Sequence, residues 1–144
     1  MKINYDYLAT LLNVFLDSEK AHVSISDIER AGIEVGEYLP DDNYIFHMQL
    51  LMDSELISNA DGEIEGLMTA GILMNGDGSY RRLSKGIRLT QKGHDFAKSL
   101  NDKEILLKIK SELKNAPFKA VFDGGQRLLE HFAKKKIDNL INPD

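Results

Sequence analysis

The sequence predicts a mainly α protein with a small β-ribbon, an α+β fold. Three observations lead there. Apolar residues recur at helical spacing in several separate stretches. Capping and stop residues stand between those stretches. One run, "SYRRLSKGIRLT", has the branched and aromatic residues of an extended ribbon instead. The 144 residues suit one domain with an appendage.

The first helix is predicted over Asn4 to Ser18, where Tyr7, Leu8, Leu11, Leu12 and Phe15 form one apolar stripe. His22 to Ile25 is a candidate short strand. Ser26 and Glu29 fit a capping box for a second helix, and Gly32 fits its stop. Pro40, Asp41 and Asp42 open a third helix, "NYIFHMQLLMDSELIS", running to about Ser54. Glycine-rich, acidic sequence follows from Ile57 to Ser79; "GLMTAGILM" within it fits either a strand or a short helix. "SYRRLSKGIRLT" reads as one extended run or two short strands, with Gly86 a possible bulge. Thr90 caps a helix from Gln91 to Leu100, and Asp102 caps another carrying Ile105, Ile109 and Leu113. Pro117 suits the first turn of a last helix, which Gly124 and Gly125 are placed to kink or break.

The order is helix, short strand, helix, helix, ribbon, helix, which is that of a winged helix-turn-helix. The division expected is a winged-helix domain over residues 1–100 and a C-terminal helical extension over residues 101–144. "YIFHMQLLMDSELIS" resembles the third helix and exit strand of small bacterial winged-helix proteins. "IRLTQKGHDFAKSLNDKEILLKIKSEL" resembles the signature of an uncharacterised bacterial and phage family, the domain of unknown function numbered twenty-five-thirteen. The resemblance covers about Asn4 to Leu113. His47, Leu51, Leu56, Ile57, Leu89, Thr90, Gly93, His94 and Phe96 match its pattern. Glu55 departs from it, standing where a helix-ending glycine is usual. So do Ala97-Lys98 after the histidine, Leu106 or Leu107 in an aromatic place, and a longer segment from Asp61 to Gly78. The family carries no established activity, so the resemblance implies a fold.

Composition narrows the function classes. The absence of cysteine excludes disulfides, thiolate metal sites and cysteine nucleophiles. No apolar run approaches the roughly 18 residues of a spanning helix, and a cytoplasmic location without membrane contact is expected. The net charge of −5 hides an asymmetry. Residues 1–78 hold 15 acidic residues against Lys2, Lys20 and Arg30; residues 79–144 hold 15 basic against eight acidic. A polyanion is drawn to the second half and repelled by the first.

Catalytic and metal patterns are missing. The histidines, His22, His47, His94 and His131, show no metal-binding spacing. "DGEIEG" starts like a calcium loop, but Ile72 stands where the bidentate glutamate belongs, and "NGDGSYRR" fails likewise. His94 follows Gly93 at the strand-to-helix joint, where it is expected to hydrogen-bond the ribbon backbone rather than do chemistry. No cofactor and no enzymatic activity are expected.

Binding remains. Arg81, Arg82, Lys85 and Arg88 cluster on the ribbon, where a wing contacts phosphates; the same cluster is also what an ordinary charged ribbon balancing the acidic half looks like. The third helix has no Lys or Arg from Asp41 to Glu55, and only Asn43, His47 and Gln49 are base-reading types. It is apolar nearly all round, so the C-terminal helices or a second chain should cover it. Double-stranded DNA is thus one expected partner, and a protein is the alternative. In the last helix Phe118, Phe122, Leu129 and Phe132 form a stripe expected to pair with a second copy in a homodimer.

Overall fold

The computed structural model describes residues 1–143. It is an α+β protein whose chain divides into two compact units, residues 1–94 and 95–144. The division falls inside a helix rather than at its end, at Leu100, where the sequence suggested it.

In the first unit, α1 (Tyr5–Asp17) starts at Asn4, whose side chain accepts from the Tyr7 amide at 3.0 Å. Tyr5, Leu8, Leu11 and Leu12 are its buried stripe. The short strand shrinks to Val23, bridged antiparallel to Ile87. α2 (Ile25–Arg30) has its capping box two residues earlier than expected: Ser24 and Asp27 exchange side-chain and backbone hydrogen bonds. Ile25 and Ile28 face the core, so the earlier start keeps both inside.

α3 (Asp42–Asp53) is capped by Asp41. It ends in a left-handed residue at Glu55 (φ 58°), with the Leu56 amide donating to the Leu51 carbonyl and Glu55 to Met52. This is the turn in which glycine is usual. β1 (Ile57–Asn59) pairs antiparallel with β4 (Ile87–Leu89), so β4 lies between β1 and Val23. Between them come a 3-10 turn (Gly66–Met68) and a hairpin of β2 (Ile72–Met74) and β3 (Tyr80–Arg82). The ambiguous "GLMTAGILM" therefore holds both a short helix and a strand. "SYRRLSKGIRLT" is two strands in two different sheets, joined by residues 83–86. The hairpin docks on the α2–α3 link through the Tyr80 amide to the Tyr38 carbonyl, 3.2 Å.

The joint after β4 is not made by His94. Thr90 donates its hydroxyl to the Glu55 carbonyl at 2.7 Å and its amide to the Leu56 carbonyl at 3.0 Å. A Cβ on Gly93 would lie 1.9 Å from the Leu56 carbonyl oxygen, so only glycine fits. The His94 ring makes no hydrogen bond among the described residues; it lines a hollow described below.

α4 (Gln91–Leu100), α5 (Lys103–Lys108) with its π-helical continuation (Ile109–Leu113), and α6 (Phe118–Ile141) complete the chain. Within the second unit Phe96, Ile105, Ile109 and Val121 are fully buried. The Phe118 and Phe122 rings pack on Phe96 with centroids 5.4 and 5.3 Å away, Leu129 is half-buried, and Lys108 stands over the Phe132 ring. The stripe expected to pair with a second copy is thus engaged within its own unit. The reason is that this unit builds a core of its own, which sequence reading took for a bare extension. α6 is unbroken at Gly124-Gly125. Gly125 is instead a close approach, where a Cβ would lie 3.1 Å from the Ser99 hydroxyl.

Candidate nucleic-acid interface

An open cleft of about 470 Å³ lies in the first unit. Lys20 and His22 come from the α1–α2 loop, Ser24, Ser26, Asp27 and Arg30 from α2 and its cap, and Arg82, Leu83, Ser84 and Lys85 from β3 and the link to β4. The Ser18 hydroxyl fixes the loop, accepting from the Lys20 amide at 3.0 Å.

Carboxylates hold the cations in place. Asp27 accepts from the Ser24 amide at 2.9 Å and from the Lys20 ammonium at 3.1 Å, and pairs with Arg30. The Ser24 amide above all, then Lys20, keeps the Asp27 carboxyl well below the usual carboxylate range. Lys85 stands 3.4 Å from Glu65. Lys20 and Arg30 are largely exposed, Lys85 and Glu65 are partly so, and the Asp27 carboxylate is mostly covered.

Arg82 is different. It grips Glu29 with two 2.7 Å bonds, donates to the Gly36 carbonyl at 3.0 Å and to the Tyr80 hydroxyl at 3.3 Å. Of its five N–H groups, four are used inside the protein. Arg82 is a strut between α2 and the hairpin more than a phosphate ligand, which corrects its expected role. Arg81 is exposed. Arg88 donates to the Leu89 carbonyl at 2.8 Å and lines a hollow of about 270 Å³ with Phe15, Lys20 and His94. Lys20 borders both spaces.

The presumed base-reading residues of α3 separate. Gln49 is exposed and Asn43 half-buried. His47 is fully buried: its Nε2 accepts from the Asn4 amide at 3.0 Å, and its Nδ1 donates to the Asn43 carbonyl at 2.8 Å. The proton is assigned to Nδ1 because Nε2 faces a donor. Burial lowers its pKa below the ordinary 6.5, against the pull of the Asn43 carbonyl. The Tyr7 ring, 4.7 Å away, covers it from α1. His47 therefore ties α1 to α3 and offers nothing to a base. α1 and the 3-10 turn provide cover for α3 from within the same unit.

The sequence did not single out Lys20, His22, Ser24, Ser26, Arg30 or Ser84 as residues of a binding site. A signal existed for two: Lys20 and Arg30 are two of the three basic residues among the first 78. The acidic loops are ordinary turns. Asn59 accepts from the Asp61 and Glu63 amides at 3.0 and 2.8 Å, and Asp77 accepts from the Ser79 amide at 3.0 Å. Among the described residues no three His, Asp or Glu side chains converge as a metal site, and no helix is long and apolar enough to cross a membrane.

Fold and cleft together define a small α+β protein with a groove lined by basic residues, serines and Asp27. No protein-family model matches the chain, and neither a curated protein nor a solved structure matches it.

Proposed function

We propose that the protein is a winged-helix module that holds nucleic acid by its phosphate backbone, at the cleft between α2 and the β3–β4 link. The order α1, Val23, α2, α3, β1, β4, with β4 between Val23 and β1, supports the winged-helix reading. The resemblance of "IRLTQKGHDF" to the bacterial and phage family supports it too, as does a cysteine-free chain for a cytoplasmic setting.

One observation carries the functional reading. Lys20, Arg30 and Lys85 come from three separate segments and line one groove together with Ser24, Ser26 and Ser84. Exposed ion pairs contribute little to stability, so a phosphate can replace a carboxylate at small cost. Hydroxyls and cations of this kind position a backbone without reading its sequence. The module is a binder, not an enzyme. A second reading, a protein-interaction module, is favoured by α3, which exposes Asp42, Gln49 and Asp53 and no cation.

Fluorescence anisotropy with DNA duplexes of unrelated sequence separates the two. The expected result is similar affinity for all of them. The logarithm of the binding constant should fall linearly with that of salt, by about 0.9 per phosphate contacted. Absence of binding at low salt contradicts the proposal and leaves the second reading.

A further inference from the structure

We propose that the end of α6, from Ala133 to Ile141, is a self-complementary surface that pairs antiparallel with a second copy of the chain. The buried face of α6 runs through Phe118, Val121, Phe122, Gly125, Leu129 and Phe132. Continued one more turn, it arrives at Lys136 and Asn139, which are polar and exposed. The apolar residues move round the helix instead. Ala133, Ile137, Leu140 and Ile141 share a face rotated from it, with Leu140, in line with Phe122 about five turns earlier, on the edge common to both and Ile137 and Ile141 well off it. Ile137 is 54% exposed, Leu140 75% and Ile141 70%. Three large aliphatic side chains on one stretch of helix, beyond the end of that helix's own buried face, mark a surface for another apolar partner.

Charge identifies the partner as a second copy. Lys134 and Asp138, four residues apart, sit on one flank of this face beside Ile141. Both are exposed, and neither side chain has an ion-pair partner among the described residues. A two-fold axis across the helix near Lys136 keeps the same flanks together in an antiparallel pair. Each Lys134 then meets Asp138 of the partner subunit, and the aliphatic faces pack alongside the two ion pairs. A membrane surface is the poorer fit, because Asp138 interrupts the lysine flank.

Sedimentation equilibrium on the full chain tests this, with circular dichroism confirming that each variant folds; all the sites are exposed. The wild type is expected to rise with concentration from 16.2 kDa toward twice that mass. Lys134→Glu and Asp138→Lys each set like charges opposite one another and should weaken the dimer roughly tenfold. An equimolar mixture of the two variants restores both pairs in a heterodimer and should recover wild-type affinity. Ile137→Asp should give a monomer. A monomer at every concentration overturns the proposal, whether or not it binds anionic vesicles. A dimer indifferent to these substitutions, or a mixture that fails to recover, overturns it equally.

Discussion

α3 and the cleft below α2 belong to the same unit and have opposite uses for their polar groups. α3 turns its histidine inward, where both ring nitrogens are spent on Asn4 and Asn43, and shows solvent two aspartates and a glutamine. The cleft turns its cations outward and anchors them with carboxylates at their base. α3 is a structural beam, and a groove on other elements of the unit carries the charge. The place of a helix in the element order does not decide its role; what its polar atoms already touch does.

The largest expected effect breaks the comparison directly. Changing Lys20, Arg30 and Lys85 together to Ala should reduce duplex DNA binding more than tenfold and flatten the salt slope by about one unit per lost contact. Asn43→Ala with Gln49→Ala should leave both unchanged. A stronger loss from the α3 pair, in the same anisotropy assay, reverses the assignment.

Next come the internal ties. Gly93→Ala forces Leu56 and the β1–α4 joint apart, and a cost of roughly 2–4 kcal/mol is expected from urea denaturation. His47→Ala leaves the Asn4 amide without its partner and the Asn43 carbonyl with only its helical one, and about 2–3 kcal/mol is expected in the same assay. His47 also fixes a pH dependence. The folded chain resists protonation of this ring below its ordinary 6.5, whereas the unfolded chain does not. Its contribution is fully present above that value and is lost as pH falls from there toward the lowered folded value. Stability measured across that window should decline in the wild type and stay flatter in His47→Gln. Equal slopes contradict a buried neutral imidazole.

The smallest effect concerns the end of α3. Glu55 holds a left-handed conformation, so Glu55→Gly should stabilise the protein by about 1 kcal/mol, with its carbonyl still free to accept from Thr90. A loss of stability contradicts this account of the turn.

Local chemistry was legible in the sequence wherever it acted over a few residues. Thr90 ahead of α4, Asp102 ahead of α5, Asp41 ahead of α3 and the glycine-like place of Glu55 all follow from caps and turns. Long-range pairing was not. Nothing local says that Arg82 will be claimed by Glu29, 53 residues earlier, or that β3 and β4 will join separate sheets. The His47 contact spans 43 residues, so an exposed reader and a buried tie look alike in the sequence. The cleft was missed because its residues are scattered: a loop, a short helix and a link contribute a few each. The phenylalanine stripe of α6 was read correctly as apolar but assigned to the wrong partner, because the core of the second unit also draws on Phe96 of α4.

The central claim, that phosphates are held at the cleft and not by α3, is tested most directly by titrating a short duplex into isotope-labelled protein and following backbone amide shifts. The expected result is movement confined to Lys20, His22, Ser24, Ser84 and Lys85 at low salt, fading as salt rises, with Asn43 and Gln49 still. Shifts centred on Asn43 and Gln49, with the cleft amides unmoved, contradict the claim.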